Sequence, residues 1–283
     1  MAPSEPIPEL PGVTHRRVRA GDLELHVAEA GDPAAPPVML VHGWPQHWWM
    51  WRFVIGELAR THRVICPDLR GHGWSDAPRG DYAKATLAGD LLALLDTLEL
   101  DEVRYMGHDW GAWVGYLLAG RAPERITRLL ALSIAPPWFR PRVGPQTVLF
   151  ASYQFLVSTP ILGQAVLRTA PAVVDQLIRT ATVNRAPFDD DTVRAYSRLL
   201  QDPDRAAATT ALYRTFLLRE LPRRGGMEPP AVPHKLVVGA GDPIRAAVHL
   251  GPGDAQFVSG AGHFLPEEDP QAVLAAAREF LLA

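Results

Sequence analysis

The stretch "GHDWGAW", residues 107–113, decides how this chain is read. Gly107 and Gly111 flank a tripeptide centred on Asp109, in the spacing of a sharp strand-to-helix turn that pushes its central side chain out of the fold. Such a turn usually presents a serine. "VRYMGH" before Asp109 reads as a short strand, and Trp110 to Arg121 reads as a helix ending before Pro123, so the context for the turn is present on both sides. A serine in that seat needs a base to remove its proton. A carboxylate, with a reference pKa of about 3.9, is already ionised at neutral pH. The positive end of the Trp110 helix is expected to keep Asp109 in that form.

Outward from this turn, strand and helix patterns alternate, as in a mostly parallel sheet covered by helices. "THRRVRA" and "LELHVAEA" form an expected antiparallel pair joined at Gly21–Asp22, and "VMLVHG" is a strand suited to burial on both faces. A helix from about His47 to Arg60, the strand "RVICPD", and a helix over 84–99 with Leu87, Leu91, Leu94, Leu95 and Leu98 on one face follow. "RLLALSI" is the next strand. The alternation stops at Pro136–Pro137, only helical patterns run to about Pro222, and Asp202–Pro203 ends one of them. Strands resume at "HKLVVGA" and "AQFVSG", and "PQAVLAAAREFLL" is a closing helix. The expected organisation is a core at 1–136 and 223–283, carrying a helical insertion at 137–222.

The 283 residues suffice for one large core with such an insertion, and 47% hydrophobic against 21% charged residues is the balance of a packed globular protein. A net charge of −3 with scattered arginines argues against a nucleic-acid partner. Cys66 stands alone, so neither an intrachain disulfide nor a cysteine metal cluster forms, and His42, His72 and His108 lack metal-ligand spacing. The N-terminal residues have no secretory pattern, so the cytoplasm is expected. Residues 143–167 carry no charge, but Gln154, Pro160, Gly163 and Gln164 interrupt them, and buried or pocket-lining helices are expected there rather than stable membrane insertion. The loop "RGHGWSD" is read as architecture, with Arg70 and Asp76 tying the turn.

A carboxylate is a weak nucleophile, so its substrate must carry a strained bond or a good leaving group on a saturated carbon. Attack leaves an alkyl ester, whose hydrolysis requires a general base. His263 in "GAGHFLPEEDP" follows the last expected strand, and Asp242 in "VVGAGDP" follows the one before, where it can orient the imidazole. The order nucleophile, acid, histidine is that of the α/β-hydrolase fold. The backbone N–H groups of Trp110 and of Trp44, in "VHGWP", are the expected oxyanion donors, since Pro45 has none to give.

With "HGWP", "GHDWG", the Asp242 turn and "GHF" in this order, the chain resembles the α/β-hydrolase epoxide hydrolases. The resemblance implies an eight-stranded sheet, an insertion that caps the site, a cis Trp44–Pro45 bond, no cofactor, no metal, and two insertion tyrosines that hold and protonate an epoxide oxygen. Tyr153, in a Tyr-Gln pair, matches the first. Tyr213, in a Tyr-Arg step, matches the second, and Tyr196 in "AYSRL" is its rival. The implied reaction converts an epoxide, the only partner implied, to a vicinal diol, and the uncharged residues 143–167 point to an apolar one. The oligomeric state is left open, with a homodimer among the options. A haloalkane or haloacid dehalogenase shares this chemistry, but Trp44 stands where many haloalkane dehalogenases resemble one another in having asparagine, and Trp110 where fluoroacetate-cleaving relatives have arginine. A ligand-binding protein that keeps the fold without turnover is the third reading.

Overall fold

The computed structural model describes residues 3, 5–140, 144–224, 226–248, 250 and 253–283, without the side chains of 145–147, 149–151 and 247. The first strand, β1 (Val13–Ala20), pairs antiparallel with β2 (Leu23–Ala30) through the Gly21–Asp22 turn. Then come β3 (Pro37–Val41), α1 (Arg52–Leu58), β4 (Arg63–Pro67), α2 (Lys84–Thr97), β5 (Val103–His108), α3 (Trp110–Arg121) and β6 (Ile126–Leu132). The helices α4 (Pro145–Val157), α5 (Leu162–Thr169), α6 (Pro171–Ala181), α7 (Asp190–Ser197) and α8 (Pro203–Thr215) separate β6 from β7 (His234–Gly239). The chain closes with α9 (Ile244–Ala247), β8 (Gln256–Val258), α10 (Leu265–Glu268) and α11 (Pro270–Ala276).

The eight strands lie in the order β1-β2-β4-β3-β5-β6-β7-β8. β2 meets β4 antiparallel, and every pairing from β4 to β8 is parallel. Parallel strands require helices over both faces, and Val38, Met39, Leu40 and Val41 of central β3 are accordingly buried without exception. The carboxyl ends of β3, β5, β7 and β8 therefore open at one edge, and the loops leaving them carry Trp44, Asp109, Asp242 and His263.

Several expectations change in three dimensions. The helix expected from His47 to Arg60 divides into a 3₁₀ turn at Trp48–Trp51 and α1. Asp202 not only closes the preceding turn but caps α8, accepting from the N–H groups of Asp204 and Arg205, so α8 starts at Pro203. Arg70 and Asp76 do not pair with each other. Arg70 grips Asp90 of α2, whereas Asp76 accepts from Arg17 of β1 and from the N–H of Glu24 in β2, because the loop is wedged between those elements.

The uncharged stretch is two helices broken at 158–161, and its burial is only partial. Val157, Gly163 and Leu167 face inward, while Val148, Phe155, Ile161 and Leu162 are exposed. Amphipathic periodicity survives there without charge, since glutamines, serines and threonines supply the polar positions. Val143, at its start, lies outside the described residues. No helix among the described residues is long and apolar enough to cross a membrane, and no group of histidines, cysteines or acids among them is placed to hold a metal.

Candidate active site

Asp109 occupies the turn between β5 and α3 with φ 49° and ψ −122°, backbone values that cost a non-glycine residue on the order of 1–3 kcal/mol. The strain is held by its neighbours. Asp109 N–H donates to the Leu132 carbonyl at 3.0 Å, and its own carbonyl accepts from Ala112 and Trp113 at 3.0 and 3.1 Å. A Cβ on Gly107 would meet Ala112 Cα at 2.6 Å, and one on Gly111 would run into the Val41 carbonyl. Both glycines are thus required by close backbone approach rather than by a left-handed φ.

The Asp109 side chain is buried, and Trp44 N–H donates to its Oδ2 at 3.0 Å. The main-chain N–H of Trp110 is a second donor to the same carboxylate. The expected oxyanion donors therefore already hold this group. The Trp44–Pro45 peptide is cis, as the resemblance implies. Gly43 lies so close that a Cβ there would come within 2.5 Å of Asp109 Oδ2.

His263 Nδ1 lies 3.2 Å from both oxygens of Asp242, so its N–H donates across the fork of a buried carboxylate. Asp242 Oδ1 also accepts from Ile244 N–H at 2.8 Å, which fixes the carboxylate plane. Burial disfavours the imidazolium, but the charge and hydrogen bond of Asp242, then the charges of Asp109 and Glu268, outweigh it and lift His263 to about 9. Asp109 moves in the unexpected direction. Burial raises its pKa to about 6 against the pull of His263 and the two backbone donors, so the carboxylate is ionised at neutral pH but titrates above the usual carboxylate range. In the resting protein the two side chains therefore carry opposite charges near neutral pH, with Asp242 as the direct ion-pair partner of the imidazolium.

Above them Tyr153 of α4 and Tyr213 of α8 meet, with 3.4 Å between their phenol oxygens. Tyr153 stacks on Trp44 with centroids 5.7 Å apart, and Tyr213 stands edge-on to Trp44 and Trp110 at 5.3 and 5.8 Å. Burial, reinforced by the nearby Asp109 charge, pushes both phenols upward, so they remain proton donors at any ordinary pH. Tyr196 is elsewhere. Its hydroxyl donates to Glu267 at 2.8 Å and accepts from Arg52 at 3.2 Å, which leaves Tyr213 as the partner of Tyr153.

Sequence reading missed the buried polar supports of this site. Glu267, beneath the His263 loop, gathers Arg52, Tyr196 and Gln46, binding α1, α7 and the loop after Pro45 together. Lys84, fully buried, lies 4.2 Å above the Trp110 ring, pairs with Glu220 at 2.9 Å and donates to the Leu212 carbonyl at 3.2 Å, next to Tyr213. Its pKa falls to about 8, burial outweighing the attraction of Glu220 and Asp109. No local pattern distinguishes these residues from surface charges, since each finds its partner across more than 60 residues of chain.

This geometry places the chain in the α/β-hydrolase fold, and it belongs to that family: residues 36–214 match the family's alpha/beta hydrolase fold model. It is 30% identical to the AB hydrolase superfamily protein YfhM of Bacillus subtilis, with 95% of this chain and 98% of that protein aligned. It is also 30% identical to Epoxide hydrolase A of Mycobacterium tuberculosis, covering 95% and 97% of the two. The crystal structure of Cfl2 from Burkholderia cenocepacia superposes with a TM-score of 0.85 at 27% identity, over 97% of this chain and 98% of that one.

Proposed function

We propose that the protein hydrolyses an apolar epoxide to a vicinal diol, with the helices between β6 and β7 capping the site. The observation that carries this reading is the meeting of the Tyr153 and Tyr213 hydroxyls above Asp109. Two un-ionised phenols suit a reaction in which an oxygen acquires negative charge while still tethered to the substrate. The relatives named epoxide hydrolases support the same choice.

Asp109 attacks one ring carbon through the oxygen not held by Trp44. The carbon–oxygen bond breaks, and the alkoxide takes a phenol proton. Esterification removes the Asp109 charge, one of the influences keeping His263 protonated, so the imidazolium can return a proton to the phenolate. His263 is then neutral when a base is needed. It takes a proton from water, the hydroxide adds to the ester carbonyl, and the resulting oxyanion lies on the N–H groups of Trp44 and Trp110. Collapse breaks the ester carbon–oxygen bond, the leaving alkoxide takes the proton of the newly formed carboxyl, and the diol departs with the aspartate restored. One turnover in ¹⁸O-water tests the covalent step: the first diol should carry ¹⁶O from Asp109, and solvent oxygen in that first diol refutes it. Intact-mass spectra of His263→Gln treated with styrene oxide should show an adduct on Asp109.

A second reading, dehalogenation through the same residues, draws on one feature. The indole N–H groups of Trp44 and Trp110 are both buried; among the described residues that of Trp44 has no hydrogen-bond partner, and that of Trp110 has only the Tyr213 phenol near it. Chloride release from a haloalkane panel, with no diol from styrene oxide, would put this reading first.

A further inference from the structure

The carboxylate of Glu268 accepts four main-chain hydrogen bonds beside the site, and the reaction as written gives it no task. Its Oε2 accepts from the N–H groups of Gly262, Val183 and Asn184 at 2.8, 2.8 and 2.9 Å, and its Oε1 from Phe264 N–H at 2.9 Å. Gly262 and Phe264 are the residues immediately before and after His263. Val183 and Asn184 belong to the insertion, just beyond α6. His263 N–H completes the clamp by donating to the Ala181 carbonyl at 2.9 Å, and the Asn184 side-chain amide donates to the Glu268 carbonyl at 2.8 Å.

We propose that Glu268 is a positioning residue that fixes the main chain on both sides of the base His263 and locks it to residues 181–184 of the insertion. Only an ionised carboxylate fits this place. Four N–H donors converge on two oxygens, and a side-chain amide has one acceptor oxygen and two donor hydrogens. A glutamine there keeps the three bonds at Oε2 only by facing its NH₂ group at the Phe264 N–H, leaving a buried donor unpaired directly after His263. Gly262 offers no slack, because a Cβ on it would meet Val183 N at 2.9 Å and Glu268 Oε1 at 3.0 Å. The charge also reaches the base: besides Glu268, the titratable groups acting on the His263 ring are Asp242, Asp109 and His108, while Glu267 turns away to Arg52 and Tyr196. Losing the charge at 268 removes one influence that raises His263.

This role rests on the proposed use of His263 in ester hydrolysis, and it concerns the second chemical step alone. Glu268→Gln should leave ester formation within about twofold of the parent in single turnovers with styrene oxide. Ester hydrolysis should slow by about 10- to 100-fold, the usual penalty for a catalytic group displaced by an ångström or less. KM should then fall along with kcat, and the alkyl-enzyme should accumulate in the steady state. Glu268→Asp, which keeps the charge but withdraws it by one methylene, should recover part of the loss and serves as the second variant should the glutamine fail to fold. Proportionate loss of both steps would show a merely structural role and overturn the proposal. Titration of the His263 imidazole by NMR, without substrate, gives an independent arm: its midpoint should drop in Glu268→Gln. An unchanged midpoint with unchanged ester hydrolysis overturns the role. Absence of any adduct on the His263→Gln variant refutes the covalent mechanism instead, and the imidazole titration still judges Glu268.

Discussion

Acidification should silence ester formation at a pH where an ordinary aspartate would still be active. Burial lifts Asp109 to about 6 from an ordinary value of 3.8. Simple titration then leaves about nine-tenths of the molecules with the carboxylate at pH 7 and about one-tenth at pH 5. The rate of ester formation should therefore fall about tenfold over that interval and by a further factor approaching ten per unit below it. A carboxylate at its reference value of about 3.9 would lose only about 7% of its ionised form by pH 5. Rapid-quench mass spectrometry of the adduct with styrene oxide, corrected for acid opening in buffer, measures this directly. A rate constant flat to pH 4.5 would refute the dominance of burial over the His263 charge and the two backbone donors at this site.

The same shifts act on stability with opposite signs. Asp109, raised in the fold, costs stability that grows as pH rises from 3.8 to about 6, reaching about 3 kcal/mol. His263, raised from 6.5 to about 9, contributes about 3 kcal/mol that is fully present below 6.5 and disappears as pH rises through 9. The two nearly cancel at neutral pH, which is how these opposite buried charges persist without stabilising the fold.

Melting temperature at moderate ionic strength should accordingly decline between pH 7 and 10, more in the parent than in His263→Gln; equal slopes would remove His263 as the cause. Tyr153→Phe and Tyr213→Phe should each slow ring opening by about 10²- to 10⁴-fold with little effect on hydrolysis of ester already formed, a split that single-turnover kinetics reads. Gly43→Ala should fold yet lose ester formation, because the added methyl occupies the place of the Asp109 carboxylate; near-parent rates would show the loop can yield. Arg52→Met should destabilise the fold by about 3–5 kcal/mol in urea, since Glu267 would remain buried with its cationic partner gone.

The local features of this chain were legible because their causes are local. Gly107 and Gly111 around Asp109 mark a turn whose glycines are required by contacts within a few residues and with the adjoining strand, and the spacing shows it. Short apolar runs such as Val38–Val41 announce a strand covered on both faces, and the helix from Trp110 to Arg121 was bounded by Asp109 before it and Pro123 after it. The order of Asp109, Asp242 and His263 follows from chain connectivity across a parallel sheet, where successive strands deliver their loops to one edge.

Other features depend on chain segments distant in sequence. Nothing within "PEEDP" separates Glu267 from Glu268, yet one faces Arg52 and Tyr196 and the other four main-chain amides, because adjacent helical residues point about 100° apart into different surroundings. Tyr213 and Tyr196 could be ranked only by motif until α8 was packed beside α4. The titration of Asp109 depends on distant segments in the same way: a helix end is visible in sequence, whereas the desolvation that raises the carboxyl against it exists only once the strands, Trp44 and the tyrosines have closed around the carboxylate.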